Sequence, residues 1–431
     1  MKAVGRKSRR LTWFCCVAIG VTLFAHTGLA HGQSGSDSPQ IDRKIVFLPE
    51  QVVLEQWPVM RNFVHVPADM KQIEPGQCIR FVVTASGTGS DKLLQNAKFN
   101  FEFTFLGKTE SFAMEPVQAF KETTLITHET VAKSLQSVEA AKALLLARYM
   151  AASKAGWCAP VDVQDGTLTV KGSAITSDGK TISLERRNIE VKTFETARKH
   201  PPFKSLEMLG QWTMQYHATP DPAQLLLALR MIAGDQKMRE ELGAWSFFVA
   251  ALQASKPAAE ELMRRLPSED RLVRLYSVSA LKQGGYSTES LVSGFTEQDK
   301  SLLQSLQFPD PYDMTPGPDI GARQDMLWSI FFATGSIKPV RAIASELAWS
   351  DDYVRFKKAA DAGERTGWSD SVGRAVGYSA AGWSMGSLAQ EDNLVYDYIE
   401  VLKASSDTPP AIKKELENLY KNPAFRGPGA R

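Results

Sequence analysis

Residues 99–105 read Phe-Asn-Phe-Glu-Phe-Thr-Phe, an alternation of large apolar and polar side chains. Successive side chains of a β-strand point to opposite faces, so this stretch predicts a strand with one face in a core and the other toward water. The same reasoning predicts neighbouring strands separated by short turns, and such a pattern is typical of an antiparallel, sandwich-like sheet. These further candidates are residues 45–48, 52–57, 62–66, 79–85, 167–171, 181–185 and 189–194.

A single long helix is predicted to interrupt these strands over residues 129–152. Val131, Leu135, Val138 and Leu145 follow helical spacing, and the stretch is rich in Ala and contains neither Pro nor Gly. We therefore expect a β-rich domain over residues 44–199 that contains this inserted helix.

Two consecutive prolines, Pro201 and Pro202, end the β-rich pattern, because proline breaks regular structure and stiffens a connector. Beyond them apolar residues recur at helical spacing, which predicts an all-α domain over residues 203–425. The predicted helices are 223–232, 242–253, 258–266, 271–282, 325–333, 340–349, 372–388, 394–403 and 411–420. The whole chain is thus expected to be a multidomain α+β protein.

The helical half also contains two segments of similar sequence. Residues 245–250 and 328–333 read WSFFVA and WSIFFA, sharing four of six residues, and each is followed shortly by Lys-Pro. Helices that return in the same order predict a degenerate, repeat-like array.

The N-terminus has the pattern of a secretory signal over residues 1–32. Five basic residues precede a 15-residue apolar run at 11–25, and small residues then offer cleavage after Ala30 or Gly32. An uncleaved anchor is the alternative, although the run is shorter than the ~20 apolar residues of a spanning helix. Ser8-Arg9-Arg10 leaves the twin-arginine route open beside the general one. Residues 33–43, rich in Ser, Gly and Asp, are expected to be a flexible tether.

Removing this signal changes the charge and the cysteine count. The remainder holds 45 Lys and Arg against 48 Asp and Glu, so no basic excess argues for nucleic acid. Cys78 and Cys158 are the cysteines that remain, and in an oxidising compartment their natural fate is one disulfide, with two free thiols as the alternative. We expect an exported protein, periplasmic or extracellular, with no membrane span after cleavage.

The segment Gly382-Trp383-Ser384-Met385-Gly386 has the G-x-S-x-G form of a hydrolase nucleophile elbow. An elbow needs a strand before the serine, whereas residues 372–383 continue a helical pattern into the motif. The triad order also needs a histidine after the serine, and the last histidine of the chain is His217. We interpret Trp383 as a packing residue, with Gly382 and Gly386 allowing close helix approach, and assign no catalytic residue.

Metal and cofactor signals are weak. The polar loop 308–321 carries Asp310, Asp313 and Asp319, but their spacing differs from that of a calcium-binding loop, so a connector is the better interpretation. No histidine pair has the H-x-x-x-H spacing of a helix-borne zinc site. The sequence therefore predicts no metal and no cofactor.

The function favoured by these observations is a non-catalytic binding or scaffolding protein of the cell envelope, with another envelope protein as its partner. The alternative is an exported hydrolase whose site lies near the domain junction, with His200 and His217 as first candidates. A chaperone-like role, with the Phe-rich strand offered to clients, is a third interpretation.

Overall fold

The computed structural model describes residues 40–49, 69–86, 93, 96–114, 149–306, 309–313, 315–364, 367–419 and 421. The chain is α+β, with a sheet region at the N-terminal side and a helical region at the C-terminal side. The predicted signal 1–32 and the strand candidates 52–57 and 62–66 lie outside the described residues. So does most of the inserted helix, residues 129–148.

The strands of the sheet region form two sheets. Their bounds are β1 Gln40–Pro49, β2 Gln72–Ile73, β3 Cys78–Ser86, β4 Lys98–Phe105, β5 Lys108–Met114, β6 Tyr149–Cys158, β7 Gly166–Ile175, β8 Thr181–Ser183 and β9 Arg187–Val191. One sheet has the order β1-β3-β6, and the other has the order β2-β9-β7-β4-β5 with β8 paired to β7. Most pairs are antiparallel as expected, but β2 and β9 run parallel.

The Phe-rich stretch forms β4 with the predicted alternation. Phe99, Phe101 and Phe103 are buried, whereas Asn100 and Glu102 are exposed. Phe81 of the other sheet lies with its ring centroid 5.5 Å from that of Phe101 and 6.1 Å from that of Phe103. The two sheets therefore contribute to one apolar core, because each buries the side of its strands that carries the large residues.

Two boundaries of the β-rich region differ from the sequence-based expectation. The predicted tether 33–43 is too long, because β1 already begins at Gln40 and Ile41 is buried opposite Ala85. The predicted helix 129–152 is wrong at its end, since residues 149–152 form the start of β6 and pair with β3. Tertiary pairing with β3 prevails there over the helical propensity of the Ala-rich stretch.

Cys78 and Cys158 face each other across the β3–β6 pair. Their sulfur atoms lie 2.03 Å apart, the distance of a disulfide bond, and their Cα atoms lie 4.0 Å apart. The two cysteines thus lie at the distance of the disulfide expected from the sequence, and this pair is compatible with a secreted protein.

The helical region begins soon after β9 ends. Its helices are α1 Phe194–Arg198, α2 Leu206–Gln215, α3 Leu225–Gly234, α4 Gln236–Arg239, α5 Leu242–Ala254, α6 Lys256–Arg265, α7 Arg271–Gln283, α8 Glu289–Val292, α9 Glu297–Ser305, α10 Ile320–Thr334, α11 Ile337–Ser345, α12 Ser350–Asp361, α13 Asp370–Glu391, α14 Asn393–Ala404 and α15 Pro410–Leu419. Short 3₁₀ turns follow α6 and α11 and precede α3. None of the helices in the described part of the chain is long and apolar enough to cross a membrane.

Helices α5 and α10, which carry the two similar Trp-Ser segments, pack against each other at the centre of this region. Trp245 and Trp328 are both fully buried there. A Cβ atom at Gly243 would lie 3.1 Å from Ser329 Oγ and 3.3 Å from the Asp325 carbonyl oxygen, so the absence of a side chain lets the two backbones approach closely. Because α5 and α10 are buried on nearly every side, they are core helices rather than surface helices.

Candidate functional site

The G-x-S-x-G motif lies inside a continuous helix. Helix α13 runs from Asp370 to Glu391, and the Ser384 hydroxyl donates to the carbonyl oxygen of Ala381 at 3.3 Å. A hydroxyl bonded to its own helix in mid-course does not have the strained, exposed geometry of a nucleophile elbow. The helical placement of Ser384 expected from the sequence is confirmed.

The packing role assigned to Trp383 is wrong. Its side chain is 46% exposed, and Val376, about two turns earlier on the same side of α13, is 37% exposed. The buried side of α13 is instead the one that carries Gly373, Gly377 and Ala381. Those small residues allow the helix to approach its neighbours closely, which turns the larger residues of the stripe toward water.

The two histidines proposed for a junction site occupy different environments. His200 is exposed in the loop after α1. His217 is 7% exposed, with its ring centroid 4.9 Å from that of Phe331. Its Nε2 lies 3.2 Å from Asp392 Oδ2, and no hydrogen-bond partner of its Nδ1 is found among the described residues. His217 is therefore packed within the helical region and is largely shielded from solvent.

Asp392 links His217 to a second carboxyl group. It caps α14 by accepting a hydrogen bond from Leu394 N at 2.9 Å. Asp397, one turn further along α14, is fully buried, and burial, followed by the charges of Asp392 and Glu400, raises its pKa to about 8. Asp397 therefore holds a proton at neutral pH, since its ionised form would be a second buried negative charge.

Two buried carboxyl groups, those of Glu74 and Asp221, interact at the junction between the sheet region and the helical region. Glu74 follows β2 and is only 1% exposed. Its carboxylate accepts from Gln72 Nε2 at 2.9 Å and from the backbone nitrogen of Ala223 at 2.7 Å. Burial raises the pKa of Glu74 well above its ordinary value, and the charge and hydrogen bond of Asp221 raise it further.

The pKa of Asp221 is also raised above its ordinary value. Burial raises its pKa, while hydrogen bonds with Glu74 and Gln224 and the charge of Lys192 act against that rise. Tyr216 lies fully buried beside the pair, and its own pKa is raised by burial and by the two acids. The arrangement is a pair of carboxyl groups that favours a single shared negative charge.

A fourth buried carboxyl group belongs to Glu346, in the 3₁₀ turn that follows α11. Glu346 accepts a hydrogen bond from Gln324, and burial raises its pKa to about 8. In the polar loop 308–321, Asp310 accepts from Tyr312 N, and Asp313 accepts from the backbone and hydroxyl of Thr315.

The third aspartate of that loop, Asp319, directly precedes α10. Arg323 of α10 fastens the loop by donating to the carbonyl oxygens of Asp313 and Thr315. Within the described ranges, no group of three His, Cys, Asp or Glu side chains is placed to hold a metal ion.

Sequence reasoning missed the carboxyl groups of Glu74, Asp221, Glu346 and Asp397. The chain holds 48 acidic residues, and nothing in the local spacing of these four sets them apart. The only local hint is the Pro-Gly turn after Glu74, which places that acid at a strand end just before Cys78.

Comparison with known proteins adds no assignment. No protein-family model matches the chain, and no curated protein matches it in sequence.

Proposed function

We propose that the chain is an exported, non-catalytic binding protein of the cell envelope that engages a partner protein through its helical region. Export is supported by the basic, apolar and small-residue order of residues 1–32. A non-catalytic role is supported by the helical placement of Ser384 and by the burial of His217 away from solvent.

The observation that carries this proposal is the outward-facing side of α13. Trp383 is exposed on it, and Val376 accompanies it on the same side. A tryptophan buries a large apolar area when covered and is enriched among the residues that dominate protein–protein binding. The occupant we commit to is an apolar surface of a second envelope protein, for which Trp383 is the anchor.

The architecture proposed to present this surface is a β-sandwich joined to a degenerate helical array. The common core of the two sheets supports the first part. The second part is supported by element order: α5, α6, a 3₁₀ turn and α7 are echoed by α10, α11, a 3₁₀ turn and α13, with α12 inserted. In this scheme α13 is the outer helix of the second unit.

The test is photo-crosslinking from a reactive residue placed at Ser379, an exposed position one turn before Trp383, in the native envelope, followed by mass spectrometry. We expect one stoichiometric partner from position 379 and none from position 161, since Val161 is an exposed apolar residue of the sheet region. Trp383→Ala should lower recovery of that partner by about tenfold, an effect of the size expected for a binding anchor. Equal capture from both positions, or unchanged recovery with Trp383→Ala, would contradict the proposal.

The hydrolase alternative is tested separately with a serine-reactive probe. We expect no labelling that Ser384→Ala removes, because the hydroxyl is bonded within its helix. Labelling of the unaltered protein that disappears in Ser384→Ala would establish a nucleophile and overturn the non-catalytic assignment.

A further inference from the structure

One contact between the sheet region and the helical region is built on ionisable groups. The turn at residues 74–77 faces the segment 220–223 that leads into α3. Ala223 N donates to Glu74 Oε2 at 2.7 Å, and Gln77 Nε2 donates to the Pro220 carbonyl oxygen at 2.9 Å. The turn is held in shape by Glu74 N, which donates to Gln77 Oε1 at 2.8 Å. Glu74 and Gln77 of the sheet region are thus both hydrogen-bonded to the short segment 220–223 of the helical region.

The charges around this contact favour one negative charge over two. Asp221 interacts with Glu74, and among the described residues Tyr216 is a further ionisable group buried beside them. Lys192 is the nearby cation that attracts Asp221, but it already lies 2.7 Å from Glu190. Desolvation and mutual repulsion therefore both oppose ionisation of the second carboxyl group.

We propose that Glu74 and Asp221 share one proton and form a latch between the two regions, which releases segment 220–223 from turn 74–77 when that proton is lost. The proton lies between the two carboxyl groups and leaves to solvent. Once both groups are charged, the repulsion is relieved by admitting water or by separating the segments. Separation breaks the bond from Ala223 N to Glu74, so the event is read out at that amide.

The direction of the pH effect follows from the raised pKa of Glu74. The contact has its full stability below the ordinary carboxyl pKa, near 4.3, at which both the closed and the open form are protonated. Above it, the open form releases a proton that the closed form retains. Stability of the contact is therefore lost progressively as pH rises toward the raised value.

The experiment is amide hydrogen exchange of the intact protein, expressed as protection factors so that the intrinsic pH dependence of exchange is removed. We expect protection of the Ala223 amide to fall by about tenfold between about pH 5 and about pH 8. Amides of α5, which lies in the helical core, serve as the internal reference for global unfolding, and the fall at Ala223 should exceed any fall that they show.

Two variants make the test specific. Glu74→Gln keeps the side-chain size and removes the charge, so the fall in protection at Ala223 should become much smaller. Asp221→Asn removes the repelling partner and should also reduce the fall, but by less, because burial still raises the pKa of Glu74. This second variant decides the matter if Glu74→Gln does not fold. Asp397→Asn alters a buried acid of α14 and should leave the fall at Ala223 unchanged.

Three outcomes would overturn the latch. Protection at Ala223 that is constant with pH in the unaltered protein is the first. The second is a fall in both Glu74→Gln and Asp221→Asn that is as large as the fall in the unaltered protein. A fall that Asp397→Asn also abolishes is the third, since it would assign the effect to the helical core.

Discussion

The sheet region and the helical region keep their cores together by different means. The sheet region joins neighbouring strands through the Cys78–Cys158 pair, and among its described residues Glu74 is the only buried acid. The helical region contains neither cysteine of that pair, but it buries Glu346 and Asp397 with raised pKa values. From this difference we expect a reductant to lower the stability of the sheet region and a change of pH to alter the stability of the helical region. The Glu74–Asp221 contact is the pH-sensitive point between them.

The buried acids of the helical region lie in two kinds of environment, one with an arginine partner and one without. Asp299 lies 2.6 Å from Arg271, and Asp352 lies 2.8 Å from Arg374, and the pKa of each acid is lowered by its hydrogen bonds and charges. Asp397 has acids rather than a cation as its charged neighbours. A buried acid that accepts a hydrogen bond from an arginine therefore has a lowered pKa, whereas a buried acid without such a bond has a raised one.

The largest effect is expected from the centre of the helical region. Trp328→Ala should lower the free energy of unfolding by about 3–5 kcal/mol, because it leaves a cavity between α10 and the aromatic side chains around it. Urea denaturation followed by circular dichroism measures the loss. Trp368→Ala, at an exposed tryptophan, should change it by less than about 1 kcal/mol. Equal losses would mean that α10 is not at the centre of the core.

The next effect sharpens the redox side of the comparison. Replacing both Cys78 and Cys158 by Ala should lower the free energy of unfolding of the sheet region by about 2–4 kcal/mol, since the cross-link restricts an 80-residue separation in the unfolded chain. Reductant should have the same effect on the unaltered protein and none on the variant. Intact mass with alkylation checks the premise, and two alkylatable thiols without reduction would refute it.

The smallest effect tests the pH side. Because the pKa of Asp397 is raised to about 8 in the fold, its contribution to stability is lost as pH rises from about 4 toward 8. Asp397→Asn should reduce the fall in unfolding free energy between about pH 5 and about pH 7.5 by on the order of 1–2 kcal/mol. Asp407→Asn, at an exposed acid of the loop after α14, should leave the profile unchanged. A profile that Asp397→Asn does not alter would remove this group from the comparison.

Several elements were predictable from the sequence because their signals are local. The alternation at 99–105 predicts β4, since a strand shows its two faces in its own residues. Ser384 was predictable as a helical residue for a similar reason, because the apolar spacing on both sides of it continues unbroken. Cys78 and Cys158 were paired by elimination once residues 1–32 were set aside.

Other features depend on residues far apart in the chain. Tyr149 and its neighbours carry helical spacing, yet pairing with β3 places them in a strand. Trp383 lies on an apolar stripe, and only the elements packed against α13 decide that its opposite, small-residue side is the covered one. In both cases the sequence contains the local pattern, but the elements packed against the segment determine its secondary structure or its buried side.

By itself the sequence determined the division into strands and helices and the absence of a nucleophile elbow, because each depends on spacing within a short stretch. It determined the cysteine pair by count, since Cys78 and Cys158 are the two that remain beyond residues 1–32. Tertiary structure alone decided which acids became chemically unusual. Glu74 and Asp221 are separated by well over a hundred residues, and the pKa of each depends on water that the other region excludes. Desolvation and charge proximity are properties of the folded space around a group, so no local pattern encodes them.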